Sequence, residues 1–228
     1  MHIHFIQHVA FEYPGSILDW AVENNYTTSY TKTFEDAEFP QTGTFDFLVI
    51  LGGPMGVYEE DKYSWMKAEK AFVKSAIDAN KKVLGVCLGS QFIANVLGEE
   101  VYSHTLKEIG WLPVNKVAEH PLTNALPDEF ITFHWHGDTF ALPNDTVQLF
   151  RSAGCEQQGF VYGNHVAGLQ FHMEVKEDLL NGMTENERSE LIPAQYVQSE
   201  EIINSYIKEQ APKQKAYMKA FLDAFIKL

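Results

Sequence analysis

Lys82 to Gly98 reads KVLGVCLGSQFIANVLG, and this stretch organises the rest of the 228-residue chain. Val83-Leu84-Gly85-Val86 is a short apolar run of the length a buried strand of a parallel sheet needs. Gln91 to Leu97 places its apolar residues at helical spacing, and Gly98 supplies a helix stop. Between strand and helix lies Gly85-Val86-Cys87-Leu88-Gly89, a nucleophile elbow with cysteine in place of serine. Glycines flank the turn because it is tight enough for a Cβ to collide with neighbouring backbone. The elbow lifts the Cys87 sulfur clear of the sheet and sets it at a helix N-terminus, where free N–H groups and the helix dipole favour a thiolate.

Working outward toward the N-terminus, strand and helix signals alternate. His2 to His8 reads as a strand, with its three histidines as polar residues at a strand edge rather than metal ligands. Pro14-Gly15-Ser16 marks a turn, and Ser16 with Asp19 resembles an N-capping pair. A second strand is expected near Tyr26 to Thr31 and an exposed loop from Glu35 to Gly43. Phe45 to Leu51 forms a buried strand that runs into Gly52-Gly53-Pro54-Met55-Gly56, at the strand end where open α/β sheets place their ligand sites. A helix over roughly Tyr63 to Ala79 carries Trp65, Phe72, Val73, Ala76 and Ile77 on one stripe. This alternation predicts a mostly parallel central sheet with helices on both faces.

From Val101 to Gly168 the segments become short and β-rich, predicting a small antiparallel layer plus strands that return to the main sheet. Val166 to Phe171 is another buried strand, and it delivers His172-Met173-Glu174. A helical C-terminal extension is expected over about 176–228, within a single domain spanning 1–228. It comprises Lys176 to Asn181, a segment opened by a Thr184…Glu187 capping box, a helix over Gln198 to Glu209, and a last helix starting at Pro212. The last helix has an apolar stripe, Ala216, Tyr217, Ala220, Phe221, Ala224 and Phe225, that reads as core or interface.

Composition narrows the classes of function. A 45% hydrophobic content describes a globular chain, and 17 Lys+Arg against 31 Asp+Glu give a net charge of −14. So acidic a chain cannot cheaply assemble a basic face for nucleic acid or an anionic membrane. No apolar run reaches membrane-spanning length, and Met1-His2-Ile3-His4 does not resemble a signal peptide, so a cytoplasmic location is expected. The two cysteines, Cys87 and Cys155, could pair, but an elbow thiol locked in a disulfide would be useless as a nucleophile; reduced thiols are expected.

Three constellations carry chemistry. Cys87 is the nucleophile. His172 and Glu174, two apart on one strand face, pair an imidazole with an orienting carboxylate, which a cysteine nucleophile needs. Gly52-Gly53-Pro54 can aim a backbone N–H at a developing oxyanion, joined by the N–H of Leu88. His134, His136 and Asp138 alternate as metal ligands could, but without a fourth ligand at good spacing no metal is expected.

GVCLGSQ at 85–91, GGPMG at 52–56 and LQFHMEV at 169–175 together resemble the class I (triad) glutamine amidotransferases, a flavodoxin-like α/β family. Phe133-His134-Trp135-His136-Gly137-Asp138 is similar to the branch that contains the amidotransferase domain of GMP synthase. The resemblance is closest over roughly 45–175. It implies that Cys87, His172 and Glu174 form the triad, that Gly53 and Leu88 donate to the oxyanion, and that Gly52, Gln91 and the backbone of Trp135, His136 and Gly137 hold glutamine. His-Met-Glu stands where the family usually has His-Pro-Glu, which loosens the backbone but keeps both functional side chains. Glutamine or another γ-glutamyl compound is the expected substrate, with no cofactor. These residues contain no synthetase domain, Walker-type loop or GxGxxG fingerprint, so ammonia is expected to pass to a separate synthetase. The alternatives are a self-sufficient γ-glutamyl peptide hydrolase using the same triad and an inert binding module with an amidotransferase shell; a homo-oligomer is compatible with each.

Overall fold

A computed structural model describes residues 1–35 and 37–228. Nine strands form one sheet in the order β2-β1-β3-β4-β9-β8-β7-β5-β6. The parallel half comprises β1 (His2–Gln7), β2 (Thr27–Lys32), β3 (Phe47–Ile50), β4 (Lys82–Val86) and β9 (Val166–Leu169). Antiparallel strands continue it without a break: β8 (Gly159–Tyr162), β7 (Thr146–Arg151), β5 (Val101–Lys116) and β6 (Glu129–Phe140). The expected antiparallel layer is thus an extension of the main sheet.

Period-two alternation splits the strands between two cores. Ile3, Phe5, Phe47, Val49, Leu84 and Val86 face α1 (Gly15–Glu23) and the far end of α5 (Glu200–Phe225), where Trp20, Phe221, Leu222 and Phe225 cover them. Ile6, Leu48, Ile50 and Val83 face α2 (Met66–Asp78) and α3 (Leu88–Val96), meeting Val73, Ala76, Phe92 and Ile93. Each such fully buried large side chain contributes about 1.5–3 kcal/mol. A third cluster, with Trp111, Phe133, Leu180 and Ile203, joins β5 and β6 to α4 (Glu177–Glu187) and the near end of α5.

Several local expectations are corrected. β1 is an interior strand: His4 is buried with its ring nitrogens on Ser29 Oγ (2.8 Å) and Thr31 Oγ1 (3.0 Å) of the edge strand β2. Ser16 lies inside α1, which has no side-chain cap, and Asp19 instead meets Lys176 and Lys215. Thr184 also lies within its helix, where its hydroxyl donates to the Leu180 carbonyl at 2.9 Å, so the capping box does not form. One 26-residue helix replaces the two expected around Pro212, capped by Ser199 and carrying the proline inside. Packing at both ends, Ile203 and Ile207 in one core and Met218 to Phe225 in another, outweighs the lost helix hydrogen bond. The expected loop of Glu35 to Gly43 includes Asp36, which lies outside the described residues; Thr42–Thr44 form a 3-10 turn across its end.

Candidate active site

β4 ends at Val86 and α3 starts at Leu88, so Cys87 alone makes the turn. It has φ 51° and ψ −110°, a conformation an L-residue holds only when its surroundings over-determine it. Those surroundings are visible. Cys87 N–H donates to the Leu169 carbonyl at 2.8 Å, and the Cys87 carbonyl accepts from Ser90 N–H (3.0 Å) and Ser90 Oγ (2.7 Å). A Cβ on Gly89 would lie 2.1 Å from the Ile50 carbonyl oxygen, and one on Gly85 would lie 2.3 Å from the Gly89 carbonyl oxygen. Both elbow glycines are therefore steric requirements.

β9 lies beside β4 with Leu169 opposite Val86, so the chain that leaves β9 passes the elbow. There His172 N–H donates to the Phe133 carbonyl at 2.8 Å. His172 and Glu174 sit in the turn after β9 rather than on a strand, yet the turn brings Nδ1 within 2.6 Å of Glu174 Oε1, both buried. The Glu174 main chain is braced by α1: Ser16 N–H donates to its carbonyl at 2.8 Å, and a Cβ on Gly15 would lie 2.1 Å from that oxygen. His172 Nε2 is buried with no protein hydrogen-bond partner among the described residues and belongs to the ring that interacts with the Cys87 thiol.

Electrostatics correct one expectation. Burial pushes the Cys87 thiol up against the opposing pull of His172, where the helix terminus was expected to lower it. Burial also works against a charged His172, but Glu174 and Cys87 overcome it and hold the imidazole well above its ordinary value. Cys155 is also buried, its thiol raised by burial, with Thr139 Oγ1 3.3 Å away; both cysteines are free.

A cleft of about 500 Å³ opens over Cys87. Gly53, Gln91, Trp135, His136 and Gly137 line it, and the Trp135 carbonyl lies 3.6 Å from the sulfur. Gln91 is held by the Gln170 side chain at 3.1 Å. Gly52 stands behind the wall, its carbonyl accepting from His8 Nδ1 at 3.0 Å. His8 Nε2 meets Glu69 Oε1 at 2.9 Å in full burial, and this pair steadies the Gly52-Gly53 loop. Leu88 and Gly53 N–H groups have no backbone acceptor among the described residues, leaving them available to an anion.

Of the alternating trio weighed as metal ligands, Asp138 turns away to accept from Tyr58 O–H at 2.9 Å. His134 and His136 instead gather with Glu108, all buried, their potential ligand atoms within 4.8 Å. Glu108 is already engaged by Ser152 Oγ (2.8 Å) and Gln158 Nε2 (2.5 Å). Burial lowers His134 to about 3, so it is neutral.

Sequence reasoning missed two carboxylates. Glu12, in the loop after β1, and Glu187, at the end of α4, both line the cleft. Burial raises Glu12 to about 7 and Glu187 to about 8, with Glu12 adding to the second shift. The only available signal for Glu12 was its place at the C-terminal end of a parallel strand.

Comparison with known proteins places this geometry. Residues 13–187 match the family model described as glutamine amidotransferase class-I. A glutamine amidotransferase-like protein of Salmonella typhimurium, YfeJ, is 36% identical over 202 residues, covering 86% of this chain and 84% of that protein. One subunit of the glutamine-hydrolyzing GMP synthase of Sulfolobus acidocaldarius is 35% identical over 144 residues, 62% of this chain and 73% of that one. The crystal structure of a glutamine amidotransferase from Thermotoga maritima superposes with a TM-score of 0.90 at 34% identity, covering 100% of this chain and 99% of the other.

Proposed function

The chain belongs to the class I glutamine amidotransferases and is an enzyme of that class, and we propose that Cys87, His172 and Glu174 are its catalytic triad, releasing ammonia from glutamine. With the proton of the pair on His172 Nε2, the Cys87 thiolate attacks the side-chain amide carbon. The tetrahedral oxyanion lies between the N–H groups of Gly53 and Leu88, each worth roughly 3 kcal/mol in the transition state. Collapse breaks the C–N bond, and His172 returns the proton to the departing ammonia, leaving a γ-glutamyl thioester. Water then gives a proton to His172 and attacks the thioester carbon. The C–S bond breaks, glutamate leaves and the thiol is restored.

The observation that carries this reading is the buried 2.6 Å contact between His172 and Glu174, in a ring whose other nitrogen is left for the thiol at the elbow. Transfer of the ammonia to a separate synthetase is supported by similarity to the Sulfolobus protein, which is one subunit of a GMP synthase. Gln91 and the backbone of Trp135 to Gly137 hold glutamine in this reading, with Gly52 supporting the oxyanion loop from behind. Steady-state ammonia release from glutamine by wild type and Cys87→Ala tests it, alongside amino-acid release from γ-glutamyl peptides. Ammonia release abolished by the substitution is the expected result; unchanged release would refute the triad, and brisk peptide cleavage without glutaminase activity would favour the peptide hydrolase.

A further inference from the structure

The cleft over Cys87 carries more acid than its catalysis uses. Glu59 accepts from Gly56 N–H at 2.9 Å, Asp138 accepts from Tyr58 O–H, and Glu190 pairs with Lys107. Glu12 and Glu187 remain. Glu12 is only 5% exposed, and its carboxylate makes no hydrogen bond or ion pair among the described residues. It stands on the same side of Gly52 as the triad imidazole: a Cβ there would lie 2.1 Å from Glu12 Oε2 and 3.2 Å from His172 Cε1. Glu187 comes from the end of α4 and lines the same cleft, with Oε1 buried and without a partner among the described residues. The one lysine lining the cleft among the described residues, Lys107, is spent on Glu190.

Buried carboxylates are ordinarily paired or hydrogen-bonded, because losing water costs them more than a lone neighbour restores. Glu12, buried and unpaired, and Glu187, half-buried with Oε1 unpartnered, line one cleft and make a receptor for a cation. A primary ammonium suits it: its three N–H donors can each meet a carboxylate oxygen, and its charge offsets the repulsion between the two acids. We propose that Glu12 and Glu187 form an ammonium subsite beside the reacting thiol, an inference that rests on the glutamine-cleaving reading of the cleft. Two parts of a γ-glutamyl substrate can supply that ammonium. One is the α-amino group of the γ-glutamyl moiety; the other is a second amine on a longer leaving group.

Equilibrium binding to the full chain carrying Cys87→Ala, read by calorimetry, tests the subsite without turnover. Two matched pairs of compounds separate the sources. Glutamine against 5-amino-5-oxopentanoate differs only in the α-ammonium. The γ-glutamyl amide of 1,4-diaminobutane against that of butylamine differs in the distal ammonium alone. The expected result is that the ammonium-bearing compound of at least one pair binds roughly ten- to a hundredfold tighter. That advantage should fall below about threefold when Glu12→Gln or Glu187→Gln is added. The discriminating pair names the source. Matched compounds binding within threefold in both pairs, an advantage that survives both substitutions, or no binding of any compound would overturn the subsite. Thermal midpoints of the two near-isosteric variants guard against misfolding. Ammonia release by the wild-type chain, measured in parallel, separates the two readings: discrimination without turnover would sink the glutamine-cleaving function alone, and turnover without discrimination would sink the subsite alone.

Discussion

Gly89→Ala is the sharpest perturbation of the elbow. The added Cβ would lie 2.1 Å from the Ile50 carbonyl oxygen and 2.7 Å from its carbon, both backbone atoms of β3. An ordinary contact begins near 3.4 Å, so α3 must move away from the sheet by on the order of 1 Å, since neither partner can swing aside as a side chain could. Overpacking of this kind costs about 3 kcal/mol, which in a chain of this size lowers the melting temperature by roughly 6–12 °C. The same displacement carries Leu88 N–H and the Cys87 sulfur away from the reacting carbon, and a misplacement of that size costs roughly a hundredfold in rate. Thermal denaturation and ammonia release from glutamine read the two effects. Gly43→Ala is the control, because a Cβ there would meet nothing within 4 Å; it should leave both measurements almost unchanged. A Gly89→Ala protein with a wild-type midpoint and turnover within threefold of wild type would refute the steric account of the elbow.

Glu174→Gln keeps the shape of the side chain but removes the charge that supports the His172 imidazolium, and kcat for glutamine should fall roughly 1,000- to 10,000-fold with KM within about threefold; retention of a third of the activity would contradict the triad. Glu12 titrates at about 7 in the folded state against an ordinary 4.5, so the proton it keeps stabilises the fold at low pH and that contribution is lost as pH rises from 4.5 through 7. The stability of Glu12→Gln relative to wild type, measured in denaturant, should therefore grow over that window by up to about 3 kcal/mol, and a difference flat in pH would refute the assigned burial. Pro212 is exposed inside α5, so Pro212→Ala restores a helix hydrogen bond without opening a cavity and should stabilise the chain by about 1–3 kcal/mol; a lowered melting temperature would show that the helix needs its proline.

The chain pattern by itself determined the parallel half of the sheet and the two sides of its core. Runs such as Phe47-Leu48-Val49-Ile50 are apolar on both faces, and only a sheet covered by helices on both sides can bury them. It also determined the elbow, because two glycines around one cysteine answer to contacts a few residues away. The His172–Glu174 pairing was legible as well, although for a different local reason than strand alternation. Tertiary structure alone decided which way the thiol is pushed, since burial depends on which elements close over the sulfur and not on its place at a helix terminus. It alone merged two helices across Pro212, where packing at both ends exceeds a local propensity. The same holds for His8, whose partner Glu69 lies 61 residues away, and for Glu12 and Glu187, 175 positions apart in sequence yet lining one cleft. A charge's meaning is set by what surrounds it in space; composition counts both glutamates as ordinary solvated acids, and only the fold leaves Glu12 buried and Glu187 half-buried, both unpartnered and lining the cleft over the reacting sulfur.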